Sequence, residues 1–273
     1  MNGVPRLADL HCHLVPGVDD GAETLEDALG WLEAYEQDGI TRVATTPHLP
    51  ARLADSDYRR RVVSRFAELE RAAADRGIGV ELSLAYEIRM DGAPLDPEDE
   101  GLWLGPGGHV LVEFQGLTFP AEPDRELSAV REAGLMPVLA HPERYAGIGK
   151  AEAWLSRWRE RGVVLCVNAG SLWGGYGPEP MRVARGMLAR GEADVIGSDH
   201  HARPHRSDSV REARALLSAG GHAEAADRLV SENPLALLAG EEPLPVPPAR
   251  LEQEEAGRSR RRWWEGILGA GGT

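Results

Sequence analysis

Apolar and polar positions alternate along this chain in two rhythms. Short runs rich in Val, Leu, Ile and Ala lie at 6–11 (RLADLH), 41–46 (TRVATT), 80–87 (VELSLAYE), 109–114 (HVLVEF), 136–141 (MPVLAH), 163–168 (VVLCVN) and 193–198 (ADVIGS). Their length and β-branched content predict strands. Longer amphipathic runs at 25–38, 58–76, 124–133, 151–161 and 179–190 separate them and predict helices. Each stops just before a glycine, the residue in which helices commonly end, and Thr24 is placed to cap the first. This alternation predicts an α/β fold with a parallel sheet. Seven strands in roughly 200 residues fit a TIM-like (β/α) barrel. The rival is a doubly wound open sheet, which the lack of a G-x-G-x-x-G after the first strand disfavours. The pattern reads as one domain over 1–240. From 241 to 273 the chain turns rich in proline, then arginine, then glycine, as a tail would.

Composition removes several alternatives. The chain has 273 residues and a net charge of −14, which argues against a protein that coats nucleic acid. No apolar stretch is long enough to span a membrane, and the first residues do not resemble a signal peptide, so a cytoplasmic location is expected. Two cysteines, Cys12 and Cys166, make neither a disulfide framework nor a thiolate zinc site. They also fail the Cys-x5-Arg pattern of thiol phosphatases, because Val18 and Leu172 stand where arginine is needed. Lys150 is the only lysine, and it misses the strand-end position of a carbamylated lysine that bridges two metals in many amidohydrolases.

The residues able to bind a metal collect at the strand ends. His11 and His13 close the first strand, in DLHCHLVPGVDDG, with Asp19 and Asp20 just after. His48 follows the second, Glu87 ends the third and Glu113 lies near the end of the fourth. His141 ends the fifth, and Asp199 and His201 follow the seventh. In a parallel barrel those ends share one face, so residues distant in sequence converge on one pocket. Imidazoles and carboxylates without thiolates suit Mn²⁺, with Fe²⁺ or Zn²⁺ as alternatives. The donors exceed the needs of one ion, and two or three ions bridged by a carboxylate suit in-line displacement at phosphorus.

The segments DLHCHLVPGVDDGAETLEDAL, TPH, EIR, LVEF, AHPERY and SDHH together resemble the bacterial PHP (polymerase and histidinol phosphatase) superfamily. Within it they are most similar to the manganese-dependent tyrosine-protein phosphatases of the capsule and exopolysaccharide type. The resemblance runs from about residue 6 to NPLALLAG at 233–240. It implies a distorted (β/α)7 barrel with a trinuclear metal centre. By motif, His11, His13, Glu87 and Asp199 would hold one ion. Glu87 would bridge to a second held by Glu113 and His141. Asp20, His48 and His201 would hold the third, Asp20 being chosen over Asp19 as the second Asp of DDG. Arg144 in HPERY would bind the phosphate. Asp199, or His201 with His200, is the candidate acid. The implied reaction is hydrolysis of phosphotyrosine on a protein, and the implied partner is a bacterial tyrosine kinase with a tyrosine-rich tail. Oligomerisation stays open. His200 and Tyr86 depart from the family's usual smaller residues.

Besides the amidohydrolase weighed above, two rivals stand beside that reading. One is another phosphoesterase of the superfamily, such as a histidinol-phosphate phosphatase. The other is a metal-binding scaffold of polysaccharide assembly without turnover. His109 and His222 fit no cluster and read as packing or surface residues. Trp31, Trp154 and Trp158 read as core. His205 with Arg203 and Arg206 reads as a solvated loop, with phosphopeptide docking as the alternative. RSRRRWW (258–264) reads as a solubilising tail, with contact to an anionic membrane as the alternative.

Overall fold

The computed structural model describes residues 6–202 and 209–251. Arg203, His205, Arg206 and the RSRRRWW segment lie outside them. The described strands are β1 (Leu7–Cys12), β2 (Ile40–Thr45), β3 (His48–Pro50), β4 (Glu81–Leu84), β5 (Glu87–Met90), β6 (His109–Phe114), β7 (Met136–Ala140), β8 (Val164–Asn168) and β9 (Val195–Gly197). Every pairing between them is parallel. They form a three-stranded sheet, β1-β2-β4, and a six-stranded sheet, β3-β5-β6-β7-β8-β9. β1, β6 and β8 are buried at every position, as parallel strands covered on both faces must be.

The α/β class and the parallel pairing agree with the sequence reading, but the described strands do not close into one continuous sheet. The reason is local. The stretch read as one strand, 80–87, splits at Ala85–Tyr86 into β4 and β5. Pro47 has no N–H to continue the ladder of β2, and the chain re-enters as β3. Both breaks carry the chain from the small sheet to the large one. Hydrogen bonds lap across these joints: Thr46 N donates to Cys12 O at 2.7 Å and Ala85 N to Thr45 O at 3.0 Å. On the opposite flank Asp199 N donates to His11 O at 2.7 Å and His13 N to His200 O at 2.8 Å, with a lone parallel bridge between Cys12 and His200.

Five helices occupy the expected stretches: α1 (Leu25–Gln37), α2 (Asp57–Arg76), α3 (Pro123–Glu132), α4 (Ala153–Glu160) and α5 (Pro178–Arg190). Thr24 and Asp27 form a reciprocal capping box at the start of α1. Three further helices were not read from the sequence: α6 (Val210–Ala219), α7 (Ala223–Asp227) and α8 (Asn233–Leu238), with a π-helical turn at Arg228–Glu232. Trp158 is buried with Trp154 against it at 6.1 Å between rings, and Trp31 packs partly buried, so these tryptophans serve the core. Residues 241–251 have no regular structure, yet Val246 and Ala249 are buried and Ala249 N donates to Leu188 O. Among the described residues no helix is long and apolar enough to cross a membrane.

Candidate metal centre

The strand ends bring all nine expected ligand-type side chains into one connected cluster around Glu87. Glu87 opens β5 and is fully buried. Its Oε1 accepts from His141 Nε2 at 2.7 Å and lies 3.4 Å from His11 Nε2. Its Oε2 lies 3.3 Å from His13 Nε2 and 3.0 Å from His48 Nδ1. Asp199 Oδ1 faces His11 at 3.4 Å and both His13 and His201 at 3.6 Å. Glu113 Oε1 lies 3.3 Å from His48 Nδ1, and its Oε2 is 4.0 Å from His141 Nε2. Asp20 reaches His48 Nε2 at 3.5 Å and His201 Nε2 at 3.4 Å.

Three groups of donors are close enough to share an ion: His11, His13, Glu87 and Asp199; His48, Glu87 and Glu113; and His13, Asp20, His48 and His201. The first is the set the resemblance implied. In the second, His48 sits with Glu87 and Glu113, while His141 bonds Glu87 and lies outside the group. The third adds His13, whose ring stacks on that of His201 at 4.1 Å.

Orphaned atoms show that the cluster fits a cation. Both ring nitrogens of His11, Nε2 of His13, Nδ1 of His48 and Oε2 of Glu87 are buried without a hydrogen-bond partner. Such atoms cost free energy unless something binds them. Electrostatics point the same way. Burial alone would drive protons off the histidines, yet Glu113 and Glu87 push His48 up to about 10, and Asp19, Asp199 and Glu87 hold His13 well above the usual imidazole range. Burial would raise Glu87 and Asp199, but the surrounding imidazoles hold both well below the usual carboxylate range. The carboxylates therefore draw positive charge into a largely buried pocket, and a proton or a metal ion supplies it.

Backbone geometry is specialised at these positions. His141 and Asp199 adopt left-handed conformations, with φ of 36° and 53°. That is uncommon for residues with a side chain and is found where surrounding structure enforces it. Gly21 lies against His13: a Cβ there would sit 2.1 Å from His13 O. A Cβ at Gly197 would sit 2.8 Å from the Cβ of His11.

Several partners were not read from the sequence. Asp19, passed over for Asp20, accepts from His13 Nδ1 at 2.7 Å and from the backbone N–H of His48 and Gly21. Against the effect of burial, those bonds and the charge on His13 hold its carboxyl at about 2. Asn168 ends β8, the expected strand without a ligand-type residue at its end, and donates to Asp199 Oδ2 at 2.7 Å. Tyr176 donates to the same oxygen at 3.2 Å. Arg144 Nη1 donates to it too, and its guanidinium lies 4.1 Å from the centre of the Tyr176 ring. Arg89 Nε orients Glu113 at 3.0 Å. His200 and Tyr86 point elsewhere: His200 packs on Trp31 at 3.9 Å, and Tyr86 is buried with the Arg59 guanidinium 5.7 Å from its ring centre. Cys12 and Cys166 are buried, and burial pushes both thiols far up, away from any nucleophilic role. Lys150 is exposed and remote from such a bridging role.

Residues 7–239 match the sequence family described as capsular polysaccharide synthesis, CpsB/CapC. The chain belongs to the CpsB/CapC family. Tyrosine-protein phosphatase YwqE of Bacillus subtilis is 25% identical over 221 residues, covering 77% of this chain and 84% of YwqE. Tyrosine-protein phosphatase CpsB of Streptococcus pneumoniae is 23% identical over 240 residues, covering 85% and 98%. A solved structure from work on YwqE and CpsB, described as metal-dependent tyrosine phosphatases, superposes with a TM-score of 0.73 at 21% identity, over 90% of this chain and all of that one. An amidohydrolase from Mycoplasma synoviae shares the fold more distantly, with a TM-score of 0.54 at 12% identity over 93% of this chain and 94% of that one. The CpsB/CapC match thus spans the strands and helices that carry the cluster.

Proposed function

We propose that this CpsB/CapC member hydrolyses phosphotyrosine on proteins with Mn²⁺ in the cluster around Glu87, and that its substrate is the tyrosine-rich tail of a bacterial kinase governing capsule or exopolysaccharide synthesis. The observation that carries the reading is the convergence of nine imidazole and carboxylate side chains, seven of them buried, on one cluster. The names of the relatives supply the substrate class. A cytoplasmic location accords with such a partner. We read the two sheets as arcs of one distorted (β/α)7 barrel, in which β2 with β3 and β4 with β5 each make one interrupted stave.

The residues divide the work. His11, His13, Glu87 and Asp199 would hold one ion, Glu87 and Glu113 with His48 and His141 a second, and Asp20, His48 and His201 a third. Bound ions would neutralise phosphate charge and lower the pKa of an attacking water. Arg144, over the Tyr176 ring, would take two phosphate oxygens with its planar fork and hold them as charge shifts in the transition state. Asp199 Oδ2 is fixed by Arg144, Asn168 and Tyr176, so its Oδ1 stays aimed at the histidines. A phenolate leaves with a pKa near about 10, which lessens the demand for a strong general acid.

Two expectations test this. Turnover of a phosphotyrosine peptide ceases after complete chelation and returns with Mn²⁺; persistence after metal removal overturns the reading. Arg144→Ala lowers kcat/KM by about 10²-fold or more, the scale of one lost transition-state donor, while Mn²⁺ still binds in calorimetry.

A further inference from the structure

Away from the cluster, α5, the end of α6 and the chain at 250–251 border an open cleft of about 690 Å3. Arg185, His222 and Arg250 line it, and Ala189, Ala219 and Leu251 form its apolar wall. The chain carries a net charge of −14, yet among the described residues no carboxylate lines this cleft. Arg182 and Arg190, neighbours on α5, both pair with Glu152. Arg185 does not. It is half-buried, its Nε donates to Leu172 O at 2.9 Å, and its Nη2 is buried with no hydrogen-bond partner. Burial pulls its pKa down. His222 Nε2 donates to Arg250 O at 2.9 Å and so ties the exposed Arg250 to the same rim.

A half-buried guanidinium with no carboxylate beside it among the described residues is costly, and an anion in the cleft offsets that charge. A guanidinium fork matches phosphate geometry. The volume lies within the range of small-molecule sites, roughly 300–1,000 Å3, and exceeds the needs of a bare ion. We propose that this cleft binds a small phosphorylated metabolite of nucleoside- or sugar-monophosphate size, its phosphate held by Arg185 and Arg250 beside His222 and its ring against Ala189, Ala219 and Leu251. The site is separate from the metal centre, but one turn links them. Leu172, held by Arg185, lies between Asn168 and Tyr176, both of which donate to Asp199.

The test uses the full chain loaded with Mn²⁺. Crystals soaked in selenate are expected to show an anomalous selenium peak within hydrogen-bond distance of Arg185 and Arg250. In calorimetry, AMP or glucose 1-phosphate binds at least tenfold tighter than inorganic phosphate, with intactness checked by phosphate release. Arg185→Gln and Arg250→Gln each weaken that binding at least tenfold. Arg250 is exposed, so its variant keeps the test sound if loss of the Leu172 bond unfolds the other. AMP tighter than glucose 1-phosphate assigns a nucleoside, and the reverse a sugar. A selenate peak with unchanged affinity in both variants means an adventitious ion only and overturns the proposal. So does equal affinity for inorganic phosphate and both metabolites, or anion density confined to the histidine cluster.

Discussion

His13 is gripped from behind. Asp19 accepts a hydrogen bond from its Nδ1 and leaves Nε2 facing Glu87 and Asp199, so the ring angle is set before any ion arrives. Outer carboxylates of this kind are typically worth about 10–100-fold in metal affinity. Asp19→Ala should weaken Mn²⁺ binding by that factor in a calorimetric titration, without loss of helical circular dichroism. The nine ligand-type residues were legible because each stands at or just beyond the end of an apolar run, and in a parallel arrangement those ends meet. Asp19 was not, because two adjacent aspartates before a glycine look alike until the loop shows which one turns inward. Asn168 was missed for a different reason: it stands at a strand end, but an amide is no usual metal ligand, and only contact with Asp199 shows its part.

At the scale of elements, strands and helices buried along one face announce themselves by period, and five helices and most strands lie where the period puts them. The broken staves did not. Residues 80–87 are uniformly strand-like in composition, and nothing local says that Glu87 changes sheets. Pairing with β3 and β6 decides that, and pairing is a long-range property. Of the helices after residue 209, α7 and α8 escaped because they are too brief to show a period and are held by packing instead, whereas α6, as long as α3, was simply passed over. His109 illustrates an element's cost. It opens β6, at the far end of the strand from the cluster, buried with neither ring nitrogen bonded. Burial lowers its pKa against a small opposing pull from Glu242. The unfolded chain therefore takes up a proton more readily than the folded one. That stability is present above the ordinary imidazole pKa and is lost as pH falls through the folded value. Urea titrations should show the wild type losing stability relative to His109→Leu between about pH 7 and pH 5, by at most about 1.4 kcal/mol per pH unit.

The whole molecule behaves as one acidic body whose centre is pre-set for cations. In the metal-free protein His48, pushed up to about 10, keeps a proton near neutral pH. A metal ion must displace it, so Mn²⁺ binding should release protons, and the apparent binding enthalpy should change with the ionisation enthalpy of the buffer. A binding heat independent of buffer would contradict the assignment. Because only the folded chain presents the cluster, Mn²⁺ at about 100 times its Kd should also add about 2.7 kcal/mol to stability and raise the melting temperature. The tie between β1 and the segment after β9 joins Asp9 and Ser198, which stand 189 positions apart. During synthesis His11 and His13 leave the ribosome and then wait, since Asp199 stands 188 positions after His11 and emerges correspondingly later. A nascent or truncated polypeptide therefore holds an incomplete cage, and hydrolytic competence arrives late, as a property of the finished protein.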